Sequence, residues 1–359
     1  SVRNMDLEGN EIGADSAKAL AEALKKNACI TNMDLEGNEI GADSAKEESD
    51  RQARRTPFET PVRLQALAEA LMINASVTKI DLRGNQIGAE GAEALAGALK
   101  NNVSITFIDF EHNEIGDEGA KALAEALKNN ASVTTINLFN NEIGAEGAKA
   151  LAEALKKNAS ITSIDLGDND IGDEGAKALA EGLKINKSIT NIDLLNNHIG
   201  DVGAEALAEA LKQNKSITNI NLGFNQIGAE GAEALKQSNS ITNIDLQETG
   251  IGDESFKALA SLVAELEMNK SVRNMDLEGN EMGADIAKEE SDRQARRTPF
   301  ETPVRLQALA EALKLNASVT TIELQCNRRC RSMRPSLASI WKVTRLGRAA
   351  EEGRQGLDH

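Results

Sequence analysis

The 359-residue sequence predicts an α/β solenoid, a horseshoe of stacked strand-and-helix modules with parallel strands on the concave face and helices on the convex face. Three observations carry this. The unit S-I-T-x-I-D-L-x-x-N-x-I-G-x-E-G-A-x-A-L-A-E-A-L-K-x-N-x recurs along most of the chain. Its first half alternates apolar and polar residues, and its second half spaces them as a helix does. Five consecutive copies of exactly this kind, each 28 residues long, run from Ser76 to Lys215.

One copy shows how the elements arise. Ile105, Ile108 and Phe110 face inward from a strand that ends at Asn113, and Ile115 follows. Asp117 stands where a helix should start, in the position of a cap. Ala120, Leu123, Ala124 and Leu127 then give the i, i+3, i+4, i+7 stripe of a core-facing helix. The I-G-x-E-G segment turns the chain and lets the helix pack closely. A single strand and helix leave apolar sides open, so neighbouring copies must stack.

An asparagine recurs at the same place in the copies: Asn10, Asn38, Asn85, Asn113, Asn141, Asn169, Asn197, Asn225, Asn280 and Asn327. An amide there has donors and an acceptor for inward-turned backbone groups, so this ladder reads as structural. With these residues the strand half matches L-x-x-L-x-L-x-x-N-x-L. The chain resembles the ribonuclease-inhibitor-like class of leucine-rich repeats, as in NOD-like receptors and the Ran GTPase-activating protein. The resemblance covers residues 1–327, as ten full copies and a truncated eleventh. It implies a leucine-rich-repeat solenoid, and it leaves function open because the class hosts unrelated tasks.

Departures from the pattern are few. A 19-residue insertion, EESDRQARRTPFETPVRLQ, occurs at 47–65 and again at 289–307, inside two 47-residue copies that agree at 40 positions. Its prolines, Pro57, Pro61, Pro299 and Pro303, are expected to interrupt the helix. Thr60 and Pro61 then restart it as N-cap and first residue, leading into Leu64, Leu67, Ala68 and Leu71. Arg54-Arg55-Thr56-Pro57 reads either as a docking or phosphorylation motif or as a tolerated loop. The copy from Ser216 to Asn239 has 24 residues, and the next has Thr249 in place of Asn, so a weak joint is expected at 235–255. After Asn327 the pattern stops. Residues 328–359 form a basic, non-repeat tail that is expected to be poorly ordered.

Formal charge is −17, which opposes nucleic acid and anionic lipid as main partners. No apolar run is long enough to span a membrane. Cys29, Cys326 and Cys330 make no disulfide framework, which suits a reducing, cytoplasmic compartment. His112 and His198 do not cluster, and neither a phosphate-binding loop nor a nucleophile elbow occurs. The sequence therefore predicts no enzyme, no cofactor and no metal centre. It carries no reading of oligomeric state.

Alternation along the strands sends the remaining side chains to the concave surface. The middle outward column reads Asp6, Asp34, Asp81, Asp109, Asn137, Asp165, Asp193, Asn221, Asp245, Asp276 and Glu323. Neighbouring carboxylates about 4.8 Å apart repel by roughly 0.9 kcal/mol in bulk water. A basic protein would relieve that repulsion, whereas a local reading has each Asp bonding its own turn. Copies differ at Lys79, Arg83, Phe107, Glu111, Phe139 and Leu195, with Phe224 beside a ladder Asn. The expected partner face comprises Asp34, Asp81, Arg83, Phe107, Asp109, Glu111, Phe139, Asp165, Asp193 and Leu195, on a non-catalytic scaffold for a protein partner. The alternatives are a GTPase-activating regulator of a small GTPase and a recognition fragment of a larger NOD-like receptor.

Overall fold

The computed structural model describes residues 2–10, 12, 14–38, 40, 62–235, 240–251, 272–280 and 321–323. Outside them lie the second insertion, the first insertion up to Pro61, Asn327, the tail, and much of the expected weak joint. The chain falls into two compact units, Ser1–Ile199 with Gln213–Ile217, and Gly200–Lys212 with Thr218–His359.

In the first unit the strands are β1 Asn4–Asp6, β2 Asn32–Asp34, β3 Lys79–Asp81, β4 Phe107–Asp109, β5 Thr135–Asn137, β6 Ser163–Asp165 and β7 Asn191–Asp193. They pair in sequence order, all parallel, with Met5, Met33, Ile80, Ile108, Ile136, Ile164 and Ile192 in one register. The second unit continues the plan with β8 Asn219–Asn221, β9 Asn243–Asp245, β10 Asn274–Asp276 and β11 Thr321–Glu323, again parallel and in order. Strands β2 to β10 bury their middle residue, and the residues on either side of it, Asp109 excepted, are turned away from the core.

The helices are α1 Ala14–Lys26, α2 Val62–Ile73, α3 Gly88–Leu99, α4 Gly116–Leu127, α5 Ala145–Leu155, α6 Gly172–Ile185, α7 Asp201–Gln213 and α8 Ala229–Leu235. Helices α1 to α6 pack each on the next. Ala120, Leu123, Ala124 and Leu127 are at most 3% exposed, and Ile105, Ile108 and Phe110 are fully buried. At about 1.5–3 kcal/mol for each large side chain, this seam is the main stabilising term. A Cβ at Gly119 would lie 2.5 Å from Ile115 Cγ2 at the start of its own helix and 3.2 Å from Ala89 Cα of the preceding one, so the glycine lets the two helices pack closely. Leu64, Leu67, Ala68 and Leu71 form the buried face of α2, directly after the first insertion's last proline. Among the described residues, no helix is long and apolar enough to cross a membrane.

Two amide ladders tie the repeats together. At the turn after each strand, Asn113 Nδ2 donates to the carbonyls of Leu82 and Phe110, both at 2.8 Å. Its Oδ1 accepts from Asn85 N at 3.0 Å and Ile87 N at 3.3 Å. Asn38, Asn85, Asn141, Asn169, Asn197 and Asn280 likewise donate to carbonyls of the preceding repeat. Asn225 donates within its own turn to Leu222 O, and Asn10, at the exposed first repeat, donates to Glu8 O. Thr249 keeps part of the pattern, its hydroxyl donating 2.8 Å to Leu246 O while its N–H donates to Asn280 Oδ1.

The second ladder runs along the helix exits: Asn74, Asn102, Asn130, Asn158, Asn186 and Asn214, each 5% exposed or less. Asn130 Nδ2 donates to Leu99 O at 2.7 Å and Asn102 O at 3.1 Å, and its Oδ1 accepts from the N–H groups of Ser132 and Val133. The sequence pattern contained this Asn, but its role is visible only once repeats are stacked.

Asp117 corrects an expectation. It lies one residue inside α4, whose N-cap is Ile115 without a side-chain bond. From inside the first turn a carboxylate cannot cap its own helix. Its Oδ1 instead accepts from Gly144 N and Gly147 N, each at 2.8 Å, at the start of α5 in the next repeat. Asp201 does the same for Gly228 and Gly231.

Two stability outcomes follow. Asn130→Ala leaves buried donors and acceptors of two repeats unpaired and should lower unfolding free energy by about 3 kcal/mol or more in urea titration. Asp117→Ala should cost about 1 kcal/mol, with hydrogen-exchange protection lost in α5 and not in α4. Loss confined to α4 would contradict capping across the repeat.

Candidate interaction surface

The side chains beside the buried strand centres form adjoining columns on the open strand face of the first unit. The middle column is Asp34, Asp81, Asp109, Asn137, Asp165 and Asp193, aligned by strand register. Each of these residues accepts the backbone N–H two residues on, from Glu36, Arg83, Glu111, Phe139, Gly167 and Leu195, at 2.9 to 3.1 Å. These are Asx turns. The column therefore has a local task, ending each strand and turning the chain toward the ladder Asn.

The next column is Glu36, Arg83, Glu111, Phe139, Gly167 and Leu195. Arg83 leans across its neighbours: Nη2 lies 2.6 Å from Glu36 and 2.8 Å from Asp81, Nε contacts both Asp81 oxygens at 3.0 Å, and Asp109 is 3.8 Å away. This cation joins three repeats. Its hydrogen bonds to Asp81 hold its own ionisation above the ordinary range. Burial pushes the Glu36 carboxyl up, against the pull of Arg83. Carboxylates of Asp34, Glu36 and Asp81 approach within 4.8 Å, as do those of Asp6, Glu8 and Asp34. Arg83 already supplies the positive charge of the former group.

Asp109 departs from the expectation that it lines the hollow, being only 7% exposed. Its carboxylate is enclosed between the strands carrying Asp81 and Asn137, with the Glu111 N–H and the Arg83 side chain at hand. Burial pushes its pKa up to about 6, aided by Asp81 and opposed by the Glu111 N–H, Asn137 and Arg83. Asp165 also rises to about 6. Burial again comes first, and then Asp193; Glu111 and Asp109 push the same way, while only the Gly167 N–H opposes.

Phe139 is positioned by three neighbours. Its ring meets His112 edge to face, with centroids 5.8 Å apart. It also lies over Gly167, where a Cβ would come within 2.8 Å of Phe139 Cδ2 and 3.2 Å of Asp165 Oδ1. The phenyl ring thus takes the space of the missing side chain. Glu111 accepts from Asn137 Nδ2 at 3.1 Å, and its other oxygen is 3.4 Å from His112 Nε2. Phe107, Phe139 and Leu195 are half-buried.

The structure thus brings Asp81, Arg83 and Asp109 into one charged cluster, to which Asp34 is joined through Glu36, and Glu111 through its N–H on Asp109. Phe139, Asp165, Asp193 and Leu195 form the adjoining mixed region, and Phe107 sits in the first column between Lys79 and Thr135. Glu36, His112, Asn137 and Gly167 are part of this surface but were not singled out as partner contacts in the sequence. The signal for Gly167 was present, since it lies 28 residues after Phe139 and so beside it. His112 and His198 are exposed, with β5 and β6 between them. In the second unit, Phe224 is 44% exposed at φ 55°, where four repeats have Gly9, Gly37, Gly84 and Gly279. A left-handed backbone costs a side-chain-bearing residue about 1–2 kcal/mol.

A pH dependence follows for the fold. Asp109 and Asp165 have folded pKa values above the ordinary 3.8, so each contributes stability fully below that value and loses it as pH rises through about 6. Each accounts for at most about 3 kcal/mol. The urea midpoint should fall as pH rises from about 4.5 to about 7, and Asp109→Asn with Asp165→Asn should flatten the profile. An unchanged slope in the double variant would contradict the assignment.

Comparison with known proteins agrees with this geometry. The leucine-rich-repeat family model matches residues 74–96, 101–124, 129–152, 157–180, 186–208 and 213–236. No curated protein matches the chain. Among solved structures, it is similar to leiomodin-1 actin-binding site 2 at 23% identity, over 54% of this chain and 86% of that one, with a TM-score of 0.33. It is also similar to a chain in the crystal structure of the TLR13–ssRNA13 complex at 14% identity, over 72% of this chain and 30% of that one, with a TM-score of 0.42. Neither superposition is close enough to bear on function. The six matched repeats, and the parallel strands and turn asparagines described on either side of them, have the α/β leucine-rich-repeat fold.

Proposed function

We propose that the first unit is a non-catalytic protein-recognition surface, and that its open strand face captures a basic protein partner. One observation carries the reading: in-register carboxylates Asp81, Asp165 and Asp193, with the buried Asp109 between the first two, run beside the half-buried Phe107, Phe139 and Leu195. Charges set the encounter and register, while partly exposed aromatic and aliphatic groups supply anchors. The repeat length of 28 residues and the helix of 11 to 14 residues in each central repeat favour the ribonuclease-inhibitor-like class within the family. The work is assigned to a cytoplasmic setting, consistent with the exposed free thiol of Cys29.

Capture of a panel of purified basic proteins on immobilised chain tests this reading. Retention should fall as salt rises from about 0.05 to 0.5 M. Phe107→Ala with Phe139→Ala should weaken it about tenfold or more while the circular dichroism spectrum is kept. Retention that ignores both salt and these substitutions would remove the face as the binding site.

A further inference from the structure

The region from β4 to β7 carries two unlike rows side by side. One holds Asp109, Asn137, Asp165 and Asp193; the other, two residues further along each strand, holds Glu111, Phe139, Gly167 and Leu195. In the second row the Phe139 ring covers Gly167, and the half-buried Leu195 follows one repeat further on. We propose that this double row receives a basic amphipathic α-helix of the partner, laid across the strands, with cations on the Asp165–Asp193 row and apolar side chains on the Phe139–Leu195 row. This rests on the reading of the face as a docking surface for a basic protein, and it specifies the shape of what docks.

Spacing selects the helix. Parallel strands repeat about every 4.8 Å, so the three steps from β4 to β7 span about 14 Å. A helix advances about 5.4 Å per turn, so cations one turn apart meet Asp165 and Asp193 on neighbouring strands, and three turns, about 16 Å, keep pace with the span from β4 to β7. An extended segment places same-side residues about 6.7 Å apart, and three such steps cover about 20 Å, more than one strand out of register. A helix also presents cationic and apolar residues as two adjacent stripes along its length, as the two rows require.

Charge complementarity fixes the sign. The charged groups acting on Asp165 are Asp193 from β7, Asp109 from β4 and Glu111 just after β4, all acidic. Asp109 additionally faces Asp81 and Arg83, and Glu111 has His112 beside it. Arg83 is held by Glu36 and Asp81 at the other end of the face. Burial and like charge leave Asp165 and Asp109 partly protonated near pH 6, so an arriving cation should expel protons and bind more tightly as pH rises.

Fluorescence anisotropy with synthetic peptides tests the proposal. The probe is an 18-residue peptide of leucine, arginine and alanine, ordered to give one apolar and one cationic stripe in a helix. Its controls are the same peptide with two central prolines and an isomer with scrambled order. The ordered peptide should bind about tenfold or more tightly than either control, and about tenfold more tightly at pH 7 than at pH 5. Asp165→Asn, which keeps the side-chain shape, should weaken binding and reduce the pH effect, and Phe139→Ala should erase preference for the ordered stripe. Equal binding of all three peptides, with continued salt-sensitive capture of basic proteins, would overturn the helix and leave the surface reading intact. Failure of every basic peptide and protein to bind would instead overturn the surface reading itself.

Discussion

Every other feature of this chain depends on the requirement that buried backbone groups between repeats find hydrogen-bond partners. Strands of three residues leave much of the path between strand and helix in turns, and turns inside a stack have carbonyl and N–H groups with no ladder of their own. The two asparagine series meet this need from opposite ends of the helix. Asn113 reaches back to Leu82 O, and Asn130 reaches back to Leu99 O, so each repeat is completed by the one that follows. An amide suits both tasks because it donates and accepts within one short, uncharged group. Aspartate would offer no donor, and burying its charge would add cost. The hydrophobic seam supplies most of the energy, while the amides fix the register in which that seam closes.

Helix starts show how a repeat can be adjusted by its predecessor. Gly88, Gly116 and Gly172 have φ near +60° and donate to the carbonyls of Asn113, Asn141 and Asn197, one repeat ahead. Gly144 lies at φ −92° and donates backward to Asp117. The residue one repeat earlier decides between them: Ala89 and Ala145 precede the left-handed glycines, and Asp117 precedes the extended one. A carboxylate in that place competes successfully for the glycine N–H, as charge-assisted bonds are the stronger kind. An alternation of alanine and aspartate that looks incidental in one dimension therefore sets the path of the chain into the next helix.

Much of this architecture was legible from periodicity. Ile105, Ile108 and Phe110, and the stripe from Ala120 to Leu127, announce their burial because a period of two followed by a period of 3.6 leaves no other face for them. The direction of contacts between copies was not legible. Asp117 looked like a cap for its own helix, since local spacing gives no sign that its carboxylate reaches 27 and 30 residues ahead. Asp109 looked like any other member of its column, yet Arg83, Asn137 and Glu111 make its surroundings unlike those of Asp34. Identical residues at equivalent positions acquire different environments from neighbours that vary, and that variation appears only after stacking.

The acidic column is where structural and recognition demands meet. Each Asp accepts an N–H two residues on, so repetition of the turn alone accounts for repetition of the acid. A neutral amide performs the same turn at Asn137, whose Oδ1 accepts from Phe139 N at 2.9 Å. Turn geometry therefore does not require the charge. Retaining carboxylates at Asp81, Asp109, Asp165 and Asp193 accepts mutual repulsion and, at two of them, a pKa of about 6. At one end Arg83 relieves that repulsion from within the chain. Around Asp165 the acting charges are all acidic, and the adjoining row changes from charged residues to Phe139, Gly167 and Leu195. A cation brought to Asp165 by a partner would there take the part that Arg83 takes within the chain at the first end, next to the apolar surface against which its carrier can pack.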